Sequence, residues 1–230
     1  MLSDTLKPQN MDKTIASIIK VGQQVFYNPK PLLDYDILVK KSLGPNTYRG
    51  FHKVDKSKSG SKEAFEKVLI NNSKFIIDTL LTAKTEKELD TFEKEICKTL
   101  KKELKKNIDN RQLNSFNKLR KPIDIVVEHL ISMGTDFLSA RQTLTEHLFL
   151  PLDSQMFQST FVFSDKEISE LKIKRSFTFK DIVDERHYYE IQSFLKQKAV
   201  TVGVDTRIFF DLVWNDRYKS KGKNLFATNP

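Results

Sequence analysis

Cysteine, glycine, proline and tryptophan are all scarce in this 230-residue sequence. The single cysteine, Cys97, excludes an internal disulfide framework and a cysteine-rich zinc site, and makes a reducing cytoplasm the expected compartment. Seven glycines and seven prolines are few for a turn-rich β protein. No run of about 18 apolar residues occurs, so no transmembrane helix and no membrane partner are expected. Residues 1–10 are polar and contain no apolar signal core.

Two kinds of motif are also missing. No glycine-rich phosphate loop is present, which argues against a nucleotide-binding enzyme of the P-loop or Rossmann type. The four histidines do not have the close spacing of a metal site, so neither a metal nor a cofactor is expected. Together these absences predict an all-α cytoplasmic protein, which we expect to be a monomer.

Positive charge is plentiful. The chain has 39 lysines and arginines against 30 acidic residues, a formal net charge of +9 and an isoelectric point of about 9.4. Such an excess favours DNA as a partner, because lysine and arginine neutralise phosphates and release counterions. Arg49 and Lys53 lie in a basic loop (residues 44–62) that suits phosphate contact. The alternative is an ordinary lysine-rich surface with a solvated linker.

Apolar residues recur at helical spacing along most of the chain. The helices predicted from this spacing span 12–26, 61–81, 85–108, 122–134, 135–147, 164–172 and 179–201, with a last buried helix from 209. Thr85 with Glu88, and Ser164 with Glu167, form predicted capping boxes. We expect an N-terminal helical region (1–108) that includes the basic loop and a catalytic helical region (109–230), together forming one compact unit.

One lysine and one aspartate occupy positions that would suit catalytic residues. Pro122 is typical of a first helical turn, which predicts that Lys121 lies at a helix start. Asp153 follows the apolar segment Leu150–Pro151–Leu152 and precedes a predicted helix. A carboxylate there is usually a helix cap. The apolar segment would nevertheless hold it at a fixed, partly buried place beside the lysine-bearing helix.

The order of these motifs resembles that of a known family. Lys121-Pro-Ile-Asp-Ile-Val-Val is followed 32 positions later by Asp153 in Leu-Pro-Leu-Asp-Ser-Gln. Further along come Tyr188-Tyr-Glu-Ile-Gln192 and Phe210-Asp-Leu-Val-Trp214. Over residues 110–218 this arrangement resembles the helix-hairpin-helix DNA glycosylases, most closely the archaeal 8-oxoguanine glycosylase/lyase type.

The resemblance implies a fold and a set of roles. The fold would be two helical subdomains with a DNA-binding cleft between them. Lys121 would attack C1′ of the nucleotide, and Asp153 would stabilise the charge that develops on the sugar. The base-pocket candidates are Trp214, Asp211 and Gln192. The DNA-binding candidates are Lys118, Arg120, Arg49 and Lys53.

Alternatives remain open at this point. Lys118 competes with Lys121 for the nucleophilic role, and residues 109–120 lack the glycines of the usual hairpin. The released base could be a damaged one, or a phage-modified one in a defence role. A non-catalytic helical DNA-binding or interaction protein is a second hypothesis. A magnesium-dependent nuclease built from Asp153, Glu170 and Lys172 is a third, but it requires strands where a capped helix is predicted.

Overall fold

A computed structural model describes residues 8–29, 32–48, 50–52, 54 and 60–219, of which 8–12, 46 and 214–216 are described by backbone only. Within these ranges the protein is mostly helical, which confirms the all-α prediction. Their only β-pairing is an isolated bridge between Leu33 and Gly134. The α-helices are α1 (Pro8–Gly22), α2 (Tyr35–Ser42), α3 (Pro45–Tyr48), α4 (Ser61–Asn71), α5 (Ser73–Thr82), α6 (Glu86–Leu104), α7 (Phe116–Met133), α8 (Arg141–Thr145), α9 (Ser154–Gln158), α10 (Asp165–Glu170) and α11 (Glu185–Val202).

Shorter helical turns complete the fold. A π-helical turn (Gln23–Tyr27) extends α1, and 3₁₀ turns occupy Asn110–Leu113, Thr135–Phe137 and Arg207–Lys219. Both predicted capping boxes form, at the starts of α6 and α10. The helix predicted over 61–81 is two helices, because the Asn72 side chain donates to the Val68 carbonyl at 2.7 Å and ends α4 there.

Helix α7 begins at Phe116 rather than at Pro122, which corrects the predicted start. Backbone amides of its first turn donate to another segment, Phe116 N to Val183 O at 3.0 Å and Asn117 N to Ile182 O at 3.1 Å. Helix starts leave such amides without partners, and here the neighbouring segment satisfies them. Pro122 therefore lies inside α7, where its ring has no N–H for the carbonyl four residues earlier.

Helix α11 begins at Glu185 rather than at Phe179, a second correction. The Thr178 amide and hydroxyl both donate to Asp181 Oδ2 at 2.7 Å, which closes a turn in place of a helix start. Asp184 then caps α11 through the His187 amide. Residues 178–184 consequently form an irregular segment that runs beside the first turn of α7.

The core surrounds α7, which is buried along nearly its whole length and packs against α2, α6, α8 and α11. Helix α1 packs on the last 3₁₀ turn, with Gly22 against Phe209. A Cβ atom at Gly22 would lie 2.5 Å from the Phe209 ring, so this contact requires glycine. Residues before and after position 108 belong to one contiguous core.

None of the helices in the described ranges has the length and apolar character needed to cross a bilayer.

Candidate active site

A cleft of about 580 Å³ opens beside α7. One face of α7 forms its wall, with Lys121, Ile125 and Glu128 spaced by four and three residues, as neighbours on one helix face are. The remaining walls are the α2–α3 connection, the start of α9, residues 178–179 and part of the last 3₁₀ turn. The volume lies within the range of about 300–1,000 Å³ that is usual for small-ligand sites.

Lys121 and Asp153 meet at this cleft. Lys121 Nζ lies 3.1 Å from Asp153 Oδ2, and the two side chains are 14% and 17% exposed. The ammonium also lies 5.3 Å from the centre of the Phe179 ring. Partial burial makes such a charge pair stronger than one at the open surface, because fewer waters screen it.

Asp153 is both a helix cap and an ion-pair partner. Its Oδ1 accepts the amides of Gln155 and Met156 at 2.9 and 3.3 Å, which caps α9, and its Oδ2 accepts Lys121. The same side chain is therefore a helix cap and is also held, partly buried, beside the helix that carries Lys121. Because the cap engages Oδ1, Oδ2 is available to accept the Lys121 ammonium at the cleft.

Gln192 is not a base-pocket residue, which corrects the expectation for it. Its side chain is 1% exposed, accepts the Leu150 amide at 3.1 Å and donates to the Leu150 carbonyl at 2.7 Å. Gln192 thus anchors the segment that leads into Asp153. It acts on the site through the backbone and does not line the cleft.

Asn117 plays a similar part and was missed in the sequence. Its fully buried amide nitrogen donates to the carbonyls of Leu152 and Phe179, each at 3.0 Å. Leu152 adjoins Asp153 on one side of the cleft, and Phe179 provides the aromatic wall of the cleft on the other side. The only sequence signal for Asn117 is a polar residue among the apolar positions of a helix.

Arg120 is not a DNA contact, because it is fully buried. Its guanidinium donates to Asp124 at 2.8 Å, to Asp90 at 2.9 Å and to Glu93, and it lies 4.6 Å from the centre of the Phe149 ring. Burial of an arginine requires such compensation. The i,i+4 spacing of Arg120 and Asp124 was the sequence signal that this arginine forms an ion pair within its own helix.

Lys118 is only 7% exposed, so it too is withdrawn from the surface where DNA would bind. Its Nζ lies 4.9 Å from the centre of the Phe51 ring. Burial, with a smaller contribution from Lys180, lowers the pKa of its ammonium. Arg49, Lys53 and the side chain of Trp214 lie outside the described residues.

Asp211, a base-pocket candidate in the sequence, lines the cleft and is one of a cluster of ionisable groups at its inner end. Its Oδ2 accepts Arg217 Nη1 at 2.7 Å, and burial raises the pKa of its carboxyl. Glu128, 2% exposed, has its pKa raised well above the ordinary value by burial and by the nearby Asp211. Burial lowers the pKa of His129, another lining residue, to about 3, so its imidazole is neutral at physiological pH.

The residues of the nuclease hypothesis do not form a metal centre in the described ranges. Glu170 ends α10, is largely exposed and pairs with Lys166 at 3.7 Å. Across those ranges no group of three or more histidine, cysteine, aspartate or glutamate side chains is placed to hold a metal ion.

Comparisons of the chain with protein-family models, with curated proteins and with solved structures find no match.

Proposed function

We propose that this protein is a DNA glycosylase with lyase activity, acting on a damaged or modified base flipped out of DNA. The observation that carries the proposal is the pairing of Lys121 with Asp153 at 3.1 Å, at the edge of a cleft of suitable size. A largely buried lysine paired with a carboxylate provides the nucleophile and the proton acceptor that attack on a sugar carbon needs. The net charge of +9 favours association with DNA.

The reaction would begin with the target nucleotide turned into the cleft. Lys121 passes a proton to Asp153, and its free amine forms a bond to C1′. The bond between C1′ and the base breaks, and the base leaves with the electron pair and takes the proton. Ring opening then gives a Schiff base between Lys121 and the sugar.

Asp153 is a carboxylate again once the base has taken the proton, and it then stabilises the positive charge on the sugar adduct, because its own cap hydrogen bonds hold it close. Strand cleavage follows when the Asp153 carboxylate takes a proton from C2′ and the 3′ phosphate leaves with the electron pair of its C–O bond. The Phe179 ring, already against Lys121, provides an apolar surface beside the reacting sugar.

The experiment uses duplexes that carry different damaged and modified bases, with free base measured by mass spectrometry. Lys121→Gln and Asp153→Asn should each lower base release by about a thousandfold or more. Lys166→Gln is the matched control, because Lys166 is an exposed lysine that also pairs with a carboxylate. Borohydride should reduce the Schiff base and attach the wild type, but not Lys121→Gln, to DNA.

Three outcomes contradict the proposal. Base release that survives both substitutions contradicts the catalytic roles proposed for Lys121 and Asp153. DNA binding without release from any duplex indicates a non-catalytic DNA-binding protein. Cleavage that stops on addition of EDTA indicates a metal-dependent nuclease, because the proposed reaction uses no metal.

A further inference from the structure

The inner end of the cleft holds a carboxyl group that the proposed reaction does not use. Glu128 is 2% exposed and lines the cleft, and its Oε1 has no hydrogen-bond partner among the described residues. A buried polar atom without a partner destabilises the folded state, so such atoms are rare in folded proteins. Because Glu128 also lines the cleft, this unsatisfied carboxyl group is a strong candidate for a ligand contact.

Helix α7 places Glu128 and Lys121 on the same wall of the cleft. The two residues are seven positions apart on one face, which is about 10 Å along the helix axis. Lys121, at 14% side-chain exposure, lies nearer to solvent than Glu128. A nucleotide whose sugar faces Lys121 would direct its base towards Glu128.

We propose that Glu128 recognises the flipped base, and that the cleft selects bases presenting a hydrogen-bond donor and an acceptor side by side. This inference rests on the proposed function of the same cleft. The favoured edges are a ring N–H beside a carbonyl, or an amino group beside a ring nitrogen. An edge with two adjacent donors is disfavoured.

The neighbours of Glu128 explain this preference. Asp211 and its partner Arg217 face Glu128 from the last 3₁₀ turn, and Asp124 lies on the same helix. His129, Lys121 and Asp153 line the same cleft. Burial and the Asp211 charge favour the neutral carboxylic acid, which donates through its O–H and accepts through its carbonyl oxygen. An ionised carboxylate would only accept.

Two substitutions test whether Glu128 acts as a neutral carboxylic acid. Glu128→Gln keeps one donor and one acceptor in nearly the same shape, whereas Glu128→Ala keeps neither. We would titrate wild type and both variants with free uracil, hypoxanthine, adenine and cytosine by calorimetry. The wild type should bind at least one base, Glu128→Gln should stay within about threefold, and Glu128→Ala should weaken binding by about tenfold or more.

Raising the pH provides a second measurement. Base binding by the wild type should fall as Glu128 ionises, while binding by Glu128→Gln should not show this fall. Glu95→Gln, on the exposed face of α6, is the matched control and should behave as the wild type. Thermal unfolding of each variant verifies that it is folded.

The inference is overturned if no free base binds, if Glu128→Ala binds as well as the wild type, or if Glu128→Gln loses as much affinity as Glu128→Ala. Abasic DNA separates this failure from that of the proposed function, because it has no base to recognise. Borohydride should therefore attach the wild type to abasic DNA whatever the role of Glu128, and the exposed control Glu95→Gln should be attached equally well. If the wild type itself is not attached and releases no base, the proposed function fails, and the free-base titration still decides the role of Glu128.

Discussion

Gln192 and Leu150 bind each other through both polar groups of the Gln192 side-chain amide. The amide oxygen accepts the Leu150 N–H at 3.1 Å, and the amide nitrogen donates to the Leu150 carbonyl at 2.7 Å. Leu150 is fully buried, so its backbone groups have no access to water. This pair fixes the chain three residues before Asp153.

Gln192→Ala should therefore destabilise the protein. Two buried backbone groups would lose their partners, at a cost of about 1–3 kcal/mol in the free energy of unfolding. Urea unfolding measures this difference. Gln197→Ala, at an exposed position of the same helix, is the control and should change stability by less than about 0.5 kcal/mol. Equal effects of the two substitutions would contradict the anchoring role.

Asn117→Asp should impair the site without removing a residue from it. Aspartate cannot donate, so the Leu152 and Phe179 carbonyls would each lose a hydrogen bond and face a carboxylate. We expect borohydride to trap this variant on abasic DNA at least about tenfold more slowly than the wild type, although Lys121 and Asp153 are both present. Asn114→Asp, an exposed substitution just before α7, should have no such effect. An unchanged attachment rate in Asn117→Asp would show that its two hydrogen bonds do not position the site.

Lys118→Met distinguishes the two lysines that competed for the nucleophilic role. Methionine retains much of the buried apolar stem and removes an ammonium whose pKa burial has already lowered. Attachment to DNA by borohydride should stay within about threefold of the wild type, which is under 1 kcal/mol of activation free energy. Loss of attachment in Lys118→Met, with retention in Lys121→Gln, would reverse the assignment.

Glu93 should make stability depend on pH. Burial, only partly opposed by Arg120, raises its pKa from 4.5 to about 8. A carboxyl with a raised folded-state pKa contributes its full stability below about pH 4.5 and loses it as the pH rises towards 8. Relative to Glu93→Gln, the wild type should therefore lose free energy of unfolding between pH 5 and pH 8. Glu95→Gln, on the exposed face of the same helix, should parallel the wild type, and parallel curves for Glu93→Gln would contradict the shift.

Local patterns in the sequence predicted much of the fold. Apolar spacing located the helical segments, and short polar signals such as Thr85 with Glu88 located two helix starts, because these depend on residues three or four apart. The predicted start of α11 was wrong because the local turn between Thr178 and Asp181 was not recognised. The predicted start of α7 was wrong for a different reason. Residues 182–183 satisfy the first amides of α7, and no local pattern reveals a partner more than sixty residues away.

The same distinction applies to the candidate site. Lys121, Asp153 and Asp211 were selected from the order of motifs, and the structure places all three at one cleft. Arg120 and Gln192 were misplaced because residue type alone does not reveal burial. Glu128 was overlooked because, without the cleft, it is one acidic residue among many on a basic chain.

Lys121 and Glu128 belong to one continuous helix, so the separation of their backbones is set by helix geometry. Seven residues make close to two full turns, and this is why both side chains point the same way. Adding one residue between them would rotate Glu128 by about 100° around the axis and away from the cleft. Under the proposed function, the separation of Lys121 and Glu128 along α7 would therefore fix the length of substrate, from sugar to base edge, that the cleft accepts.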